Sequence, residues 1–138
     1  MESELNVFHG PRHALPWTQA KTCCSDILSY YKEQLSVDTV NRVSLTSRCR
    51  GIAPTIVLDE LVEEAIAAHS RVLATLAPHA RARDAYLSFS HGYVGFHAGL
   101  ARYRLSELRL LDEDVVTVPQ SSTWDFMVSL VRRFGKSW

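Results

Sequence analysis

The stretch RVSLTSRCR, residues 42–50, decides how this chain is read. Its even positions are Arg42, Ser44, Thr46, Arg48 and Arg50, and its odd positions are Val43, Leu45, Ser47 and Cys49. Side chains that alternate in this way suit a strand, where neighbours point to opposite faces. The spacing predicts a strand over 39–51 with a small or apolar face inward and an arginine and hydroxyl face outward. Residues on that outer face would stand about 6.5–7 Å apart. Guanidinium and hydroxyl groups at this repeat match phosphate oxygens and 2′-hydroxyls along a nucleic-acid backbone. The competing reading is the solvated face of an ordinary antiparallel sheet.

Working outward, Gly51 and Pro54 interrupt the pattern, and Thr55 to Val57 make a short second strand or an extended lead into a helix. In LDELVEEAIAAHSRVLATLAP, residues 58–78, the residues Leu58, Val62, Ala65, His69, Val72 and Leu76 recur at steps of four and three, which predicts a helix over 58–77. Upstream, Pro16 opens a second helix over 16–35, with Trp17, Ala20, Cys24, Ile27, Leu28, Tyr31 and Leu35 on its apolar side. Residues 1–15 read as an irregular arm.

Downstream, Leu87, Phe89, His91 and Tyr93 alternate around His91-Gly92, which predicts a hairpin over 85–96. From about residue 97, Ala101, Leu105, Leu108 and Leu111 return to a helical spacing, with Arg102 and Arg109 on the exposed side. VVTVP, residues 115–119, is a short strand candidate. Ser122 or Thr123 can cap a last helix through WDFMVSLVRRF, stopped by Gly135 and carrying Arg132 and Arg133 in its final turn. The expected architecture is α+β: a small antiparallel sheet packed on amphipathic helices, in one domain over 16–138.

Composition narrows the function classes. The chain has 138 residues, 46% hydrophobic and 22% charged, which is the balance of a globular domain. No apolar run is long enough to span a bilayer, and the N-terminus lacks a basic segment followed by an apolar one, so the expected address is intracellular, without membrane association. Cys23, Cys24 and Cys49 are odd in number and two are adjacent, which argues against a disulfide framework. The six histidines show no metal-motif spacing. Net charge is zero, yet 12 of the 15 basic residues are Arg, the side chain whose planar fork suits phosphate.

No nucleophile elbow, phosphate loop or metal motif is present. HGYVGFHAG, residues 91–99, lacks the strand and the Lys-Ser/Thr ending of a phosphate loop and reads as turn and packing chemistry. An enzyme would need His91 or His97 beside a carboxylate, for instance His91 with Asp84.

SLTSRCRGIAPTIV and the helix that follows it resemble the RNA-contacting segment of small plant-virus RNA-silencing suppressors of the tombusvirus/aureusvirus type. LPWTQ, residues 15–19, is similar to the opening of that family's N-terminal helix. The resemblance covers about residues 15–78. It implies a homodimer in the host cytoplasm that lays double-stranded RNA across a sheet, without catalysis or cofactor. By position, Thr46, Arg48 and Thr55 fall on RNA-contacting strands and Trp17 on a duplex-capping tryptophan. Joined to the strand face, the expected RNA-binding set is Arg42, Ser44, Thr46, Arg48, Arg50, Thr55 and Trp17. The alternative is a viral or phage protein-binding inhibitor acting on a host complex through the 58–77 helix or the Trp124/Phe126/Trp138 segment.

Overall fold

The computed structural model describes residues 11–108 and 123–134. Every regular element among them is helical: α1 (Pro11–Leu35), α2 (Arg42–Arg50), α3 (Pro54–Leu76), α4 (Ala80–Gly99), short 3₁₀ turns at Ala101–Tyr103 and Leu105–Leu108, and α5 (Thr123–Phe134). No strand occurs among the described residues. The α+β expectation, with its antiparallel sheet, is therefore wrong.

Residues 42–50 form a helix because their ends are built as helix ends. Asn41 is the N-cap, its side chain accepting a hydrogen bond from the Ser44 amide at 2.9 Å. Gly51 closes the other end at φ 65°, where a residue without Cβ is at ease, and its N–H returns to the Ser47 carbonyl. Of the odd positions that mimic a buried strand face, only Val43 is buried; Leu45 is 43% exposed. The alternation therefore does not mark a buried face: Val43 is the one buried residue of this helix.

The second proposed strand, Thr55 to Val57, is the first turn of α3, with Pro54 at a position where its missing N–H costs nothing. Along α3 the predicted seam is buried, from Leu58, Val62 and Ala65 through His69, Val72 and Leu76. The 85–96 hairpin is replaced by α4, in which Gly92 and Gly95 are simply helical. A Cβ at Gly92, Gly95 or Gly99 would meet nothing within 4 Å, so this side of α4 faces open space. The helix expected from residue 97 is instead the end of α4 and the two 3₁₀ turns, joined by Arg104 at φ 58°. VVTVP lies outside the described residues. The last helix, α5, covers the WDFMVSLVRRF segment as expected and buries Phe126, Met127, Leu130, Val131 and Phe134.

Helix α1 is the axis of the packing. It lies chiefly along α3, with α4, the 3₁₀ turns, α2 and α5 around it. Ile27, Leu28, Cys23, Leu58, Ala65, Met127, Leu130 and Phe134 are fully enclosed in the main core. A smaller cluster of Val72, Leu76, Ala82 and Tyr86 closes the α3–α4 corner. No helix of the described residues is long and apolar enough to cross a membrane.

Candidate active site

The expected nucleic-acid face does not exist as a face. At about 100° per residue, Arg42, Thr46 and Arg50 fall on one side of α2, and Ser44 and Arg48 on the other. Four of the five are engaged within the protein. Arg42 donates to Asp26 and to Glu64, each at 3.3 Å, and reaches the Cys23 sulfur at 3.7 Å. Arg50 makes a two-pronged pair with Glu60. Arg48 donates to the Thr39 carbonyl at 2.9 Å. Ser44 accepts from Gln34 at 3.2 Å, and Thr46 is half-buried. Thr55 stands in the first turn of α3. Trp17 is drawn to α4, where its ring meets Tyr86 at 5.5 Å and Phe89 at 4.9 Å.

That pairing is part of a continuous run of ring contacts among the described residues. Trp124, His69, Tyr86, Trp17, Phe89, Tyr93, His97 and Tyr103 form a chain of rings whose successive centroids are 4.5–5.9 Å apart. Offset and edge-on contacts at these distances hold each ring by its neighbours. The chain follows the α1–α4 seam and ends at the first 3₁₀ turn. Beside it, Phe89 and Phe96 turn outward from α4, 47% and 60% exposed, leaving an aromatic wall uncovered on this chain. The cleft between Trp17, Tyr86, Phe89, Tyr93 and Trp124 encloses about 20 Å³, room for roughly one water. A larger apolar body would have to lie against the open wall.

Polar groups converge at one end of this wall. Ser25, Ser29 and Lys32 lie within about 60° of one another around α1, with Glu33 on their flank. Ser25 lies beside the Tyr93 hydroxyl, which burial pushes above its ordinary pKa. The Lys32 ammonium stands 5.7 Å from the Tyr103 ring centroid and 3.7 Å from Glu33. Arg102 is exposed in the same 3₁₀ turn and makes no ion pair among the described residues. Hydroxyl and carboxylate oxygens of this kind suit a hard cation such as Mg²⁺, which commonly takes one or two protein carboxylates and fills its shell with water and substrate phosphate. No group of three or more His, Cys, Asp or Glu among the described residues could hold a metal by itself. The chemistry on offer is a cationic, hydroxyl-rich end for an anionic head and an aromatic wall for an apolar or positively charged body.

Neither histidine proposed for an enzyme pairs with a carboxylate. His97 is sandwiched between Tyr93 and Tyr103 and donates through Nδ1 to the Tyr93 carbonyl at 2.8 Å. His91 Nδ1 meets the Thr123 hydroxyl at 3.0 Å. The sequence reading missed Ser25, Ser29, Lys32, Glu33, Phe96, Tyr93 and Tyr103 as a site. Its signal was the polar recurrence at steps of four and three within SDILSYYKE, residues 25–33.

The thiols are not part of this chemistry. Burial pushes Cys23 up to about 11 and Cys24 up to about 12, so both stay protonated at neutral pH.

Comparison with known proteins gives one consistent answer. The family model of trichodiene synthase (TRI5) matches residues 15–117. The chain is 43% identical over 84 residues to terpene synthase 29 of Postia placenta, covering 61% of this chain and 24% of that protein. It is 36% identical over 84 residues to alpha-cuprenene synthase COP6 of Coprinopsis cinerea, covering 61% and 26%. To longiborneol synthase CLM1 of Gibberella zeae it is 30% identical over 88 residues, covering 64% and 26%. The chain thus spans about a quarter of the length of these curated relatives. No solved structure matches it. The resemblance to plant-virus silencing suppressors is overturned by these matches, and double-stranded RNA goes with it as a partner. The expected non-catalytic role is corrected too, since the relatives are synthases. The inhibitor-module alternative finds no support.

Proposed function

The chain belongs to the trichodiene synthase family, and on that premise we propose that it takes part in terpene formation, presenting the aromatic wall and polar end of a terpene synthase site. The observation that carries this reading is the continuity between the two. The ring chain from Trp124 to Tyr103 runs directly into Lys32, and Ser25 lies beside Tyr93 within it. An isoprenoid is an apolar hydrocarbon chain that needs an anionic leaving group to react. Aromatic faces accept its body and attract positive charge developing on it, while offering no strong nucleophile to trap it. Lys32 and Arg102 suit a phosphorylated head, and Ser25, Ser29 and Glu33 supply oxygens for an accompanying Mg²⁺.

The test is to titrate monoterpene- and sesquiterpene-length isoprenyl diphosphates, with Mg²⁺, against the chain while following its tryptophan fluorescence, and to examine the mixtures by gas chromatography. Saturable quenching with terpene hydrocarbon above the protein-free control is the expected result. Absence of both binding and product would overturn the reading.

A further inference from the structure

A second groove lies across α1 from the aromatic wall. Tyr30 and Gln34 are rotated about 140–180° around α1 from Ser25, so the groove shares no lining residue with the site above. It encloses about 340 Å³ between the C-terminal half of α1, the start of α3 and the end of α5, within the range of small-molecule sites. Pro54 and Ala53 are its exposed apolar lining, with the enclosed Leu58 and Phe134 behind them.

Two independent features of the groove call for a hydrogen-bond acceptor. The first is Tyr30, which is only 3% exposed, its ring held edge-on to Phe134 at 5.7 Å. Its hydroxyl has no hydrogen-bond partner among the described residues, yet it is not one of the sealed, unsatisfied polar atoms, of which the described residues have none. The hydroxyl therefore reaches open space, and the space that Tyr30 lines is this groove. The second is the start of α3. Ala53 at the N-cap supplies no side-chain acceptor and Pro54 has no N–H. The Ile56 and Val57 amides both turn back to the Ala53 carbonyl, at 3.0 and 3.5 Å, which leaves the Thr55 N–H as the free donor of a 23-residue helix. Gln34, already donating to Ser44, borders the same space.

We propose that this groove binds a small carboxylic acid with an aromatic or branched aliphatic body. The carboxylate accepts from the Tyr30 hydroxyl and the Thr55 N–H at the positive end of the α3 dipole, and the body lies on Pro54 and Ala53. A carboxylate fits better than a larger polyanion because the lining residues carry no Lys or Arg to neutralise more than one charge. The site stands apart from the terpene reading and does not depend on it.

The test uses the full chain, hydrocinnamate as carboxylate probe and hydrocinnamyl alcohol as its neutral counterpart, followed by proton–nitrogen correlation spectra. Hydrocinnamate should shift the Thr55 and Ile56 amides saturably, and the alcohol should bind at least about tenfold more weakly, the scale of one charge-assisted hydrogen bond. Tyr30→Phe keeps the ring and should weaken hydrocinnamate about tenfold with an unchanged Tm. Ala53→Trp, at an exposed position on the rim, should block binding without touching the core. Absence of saturable shifts at Thr55 and Ile56 would overturn the proposal, as would equal affinity for the two probes or undiminished binding in both variants.

Discussion

His69 Nδ1 and the Tyr86 hydroxyl lie 2.7 Å apart where α3 faces α4, and both residues are buried. Burial holds the His69 imidazole below its ordinary pKa, so it stays neutral in the folded chain at a pH where the unfolded chain would protonate it. The unfolded state then binds more protons. Stability from this group is complete above about pH 6.5, the ordinary histidine value, and declines as pH falls below it. Melting temperatures measured from pH 7.5 down to 5.5 should fall, and the double variant His69→Phe/Tyr86→Phe should flatten that slope. Tyr86→Phe alone leaves a buried ring nitrogen without its partner and should cost about 1–3 kcal/mol in chemical denaturation. An unchanged slope in the double variant would assign the pH dependence to other groups.

Two backbone positions should respond in opposite directions. Val37 sits at φ 57°, a left-handed conformation that a β-branched side chain resists, and it is 80% exposed, so it gains little packing in return. Val37→Asn should stabilise the chain by about 1 kcal/mol. Gly51 occupies the same region at the end of α2, and Gly51→Ala should destabilise by a similar amount. Urea midpoints read both effects, and a destabilising Val37→Asn would mean that the 36–41 loop is not strained.

Thiol chemistry should separate the three cysteines. Cys23 and Cys24 are buried and held protonated, whereas Cys49 is exposed on α2. Iodoacetamide at neutral pH should label only Cys49 in the folded chain and all three in denaturant, by mass spectrometry. Fast native labelling of Cys23 would show that the α1–α2–α3 contact around Arg42 opens readily.

Lys32→Ala and Phe96→Ala separate the two halves of the proposed site. Lys32 loses a charged contact to an anionic head, so isoprenyl diphosphate binding should weaken about tenfold or more. Phe96, 60% exposed, loses wall area only, so it should weaken binding of the hydrocarbon body and leave inorganic diphosphate binding unchanged. Neither change touches the core, and melting temperatures should hold. Equal loss of inorganic diphosphate binding in both variants would argue against a divided site.

Three of the helices were legible from the chain itself. The α3 seam from Leu58 to Leu76, the apolar side of α1 and the run of α5 each repeat over three turns or more, and a pattern that long has one solution. Residues 42–50 were too short for that. Their alternation matched a strand, and the opposing signals, Asn41 as cap and Gly51 as stop, were local and easily outvoted. In α4, His91-Gly92 resembles a turn because glycine is permissive, yet glycine is also tolerated in a helix whose side there faces open space.

The sequence alone determined that the segments of α1, α3 and α5 are amphipathic helices, because periodicity reports which side chains leave water. What only tertiary structure decided was which residues meet. Arginines that alternated along the chain were divided between two sides of a helix, Arg42 and Arg50 being bound to the protein's own acids. Rings from α1, α3, α4, α5 and a 3₁₀ turn, scattered over more than a hundred residues, became one continuous wall. Proximity across elements is set by how helices pack, and that leaves no period for a linear reading to find.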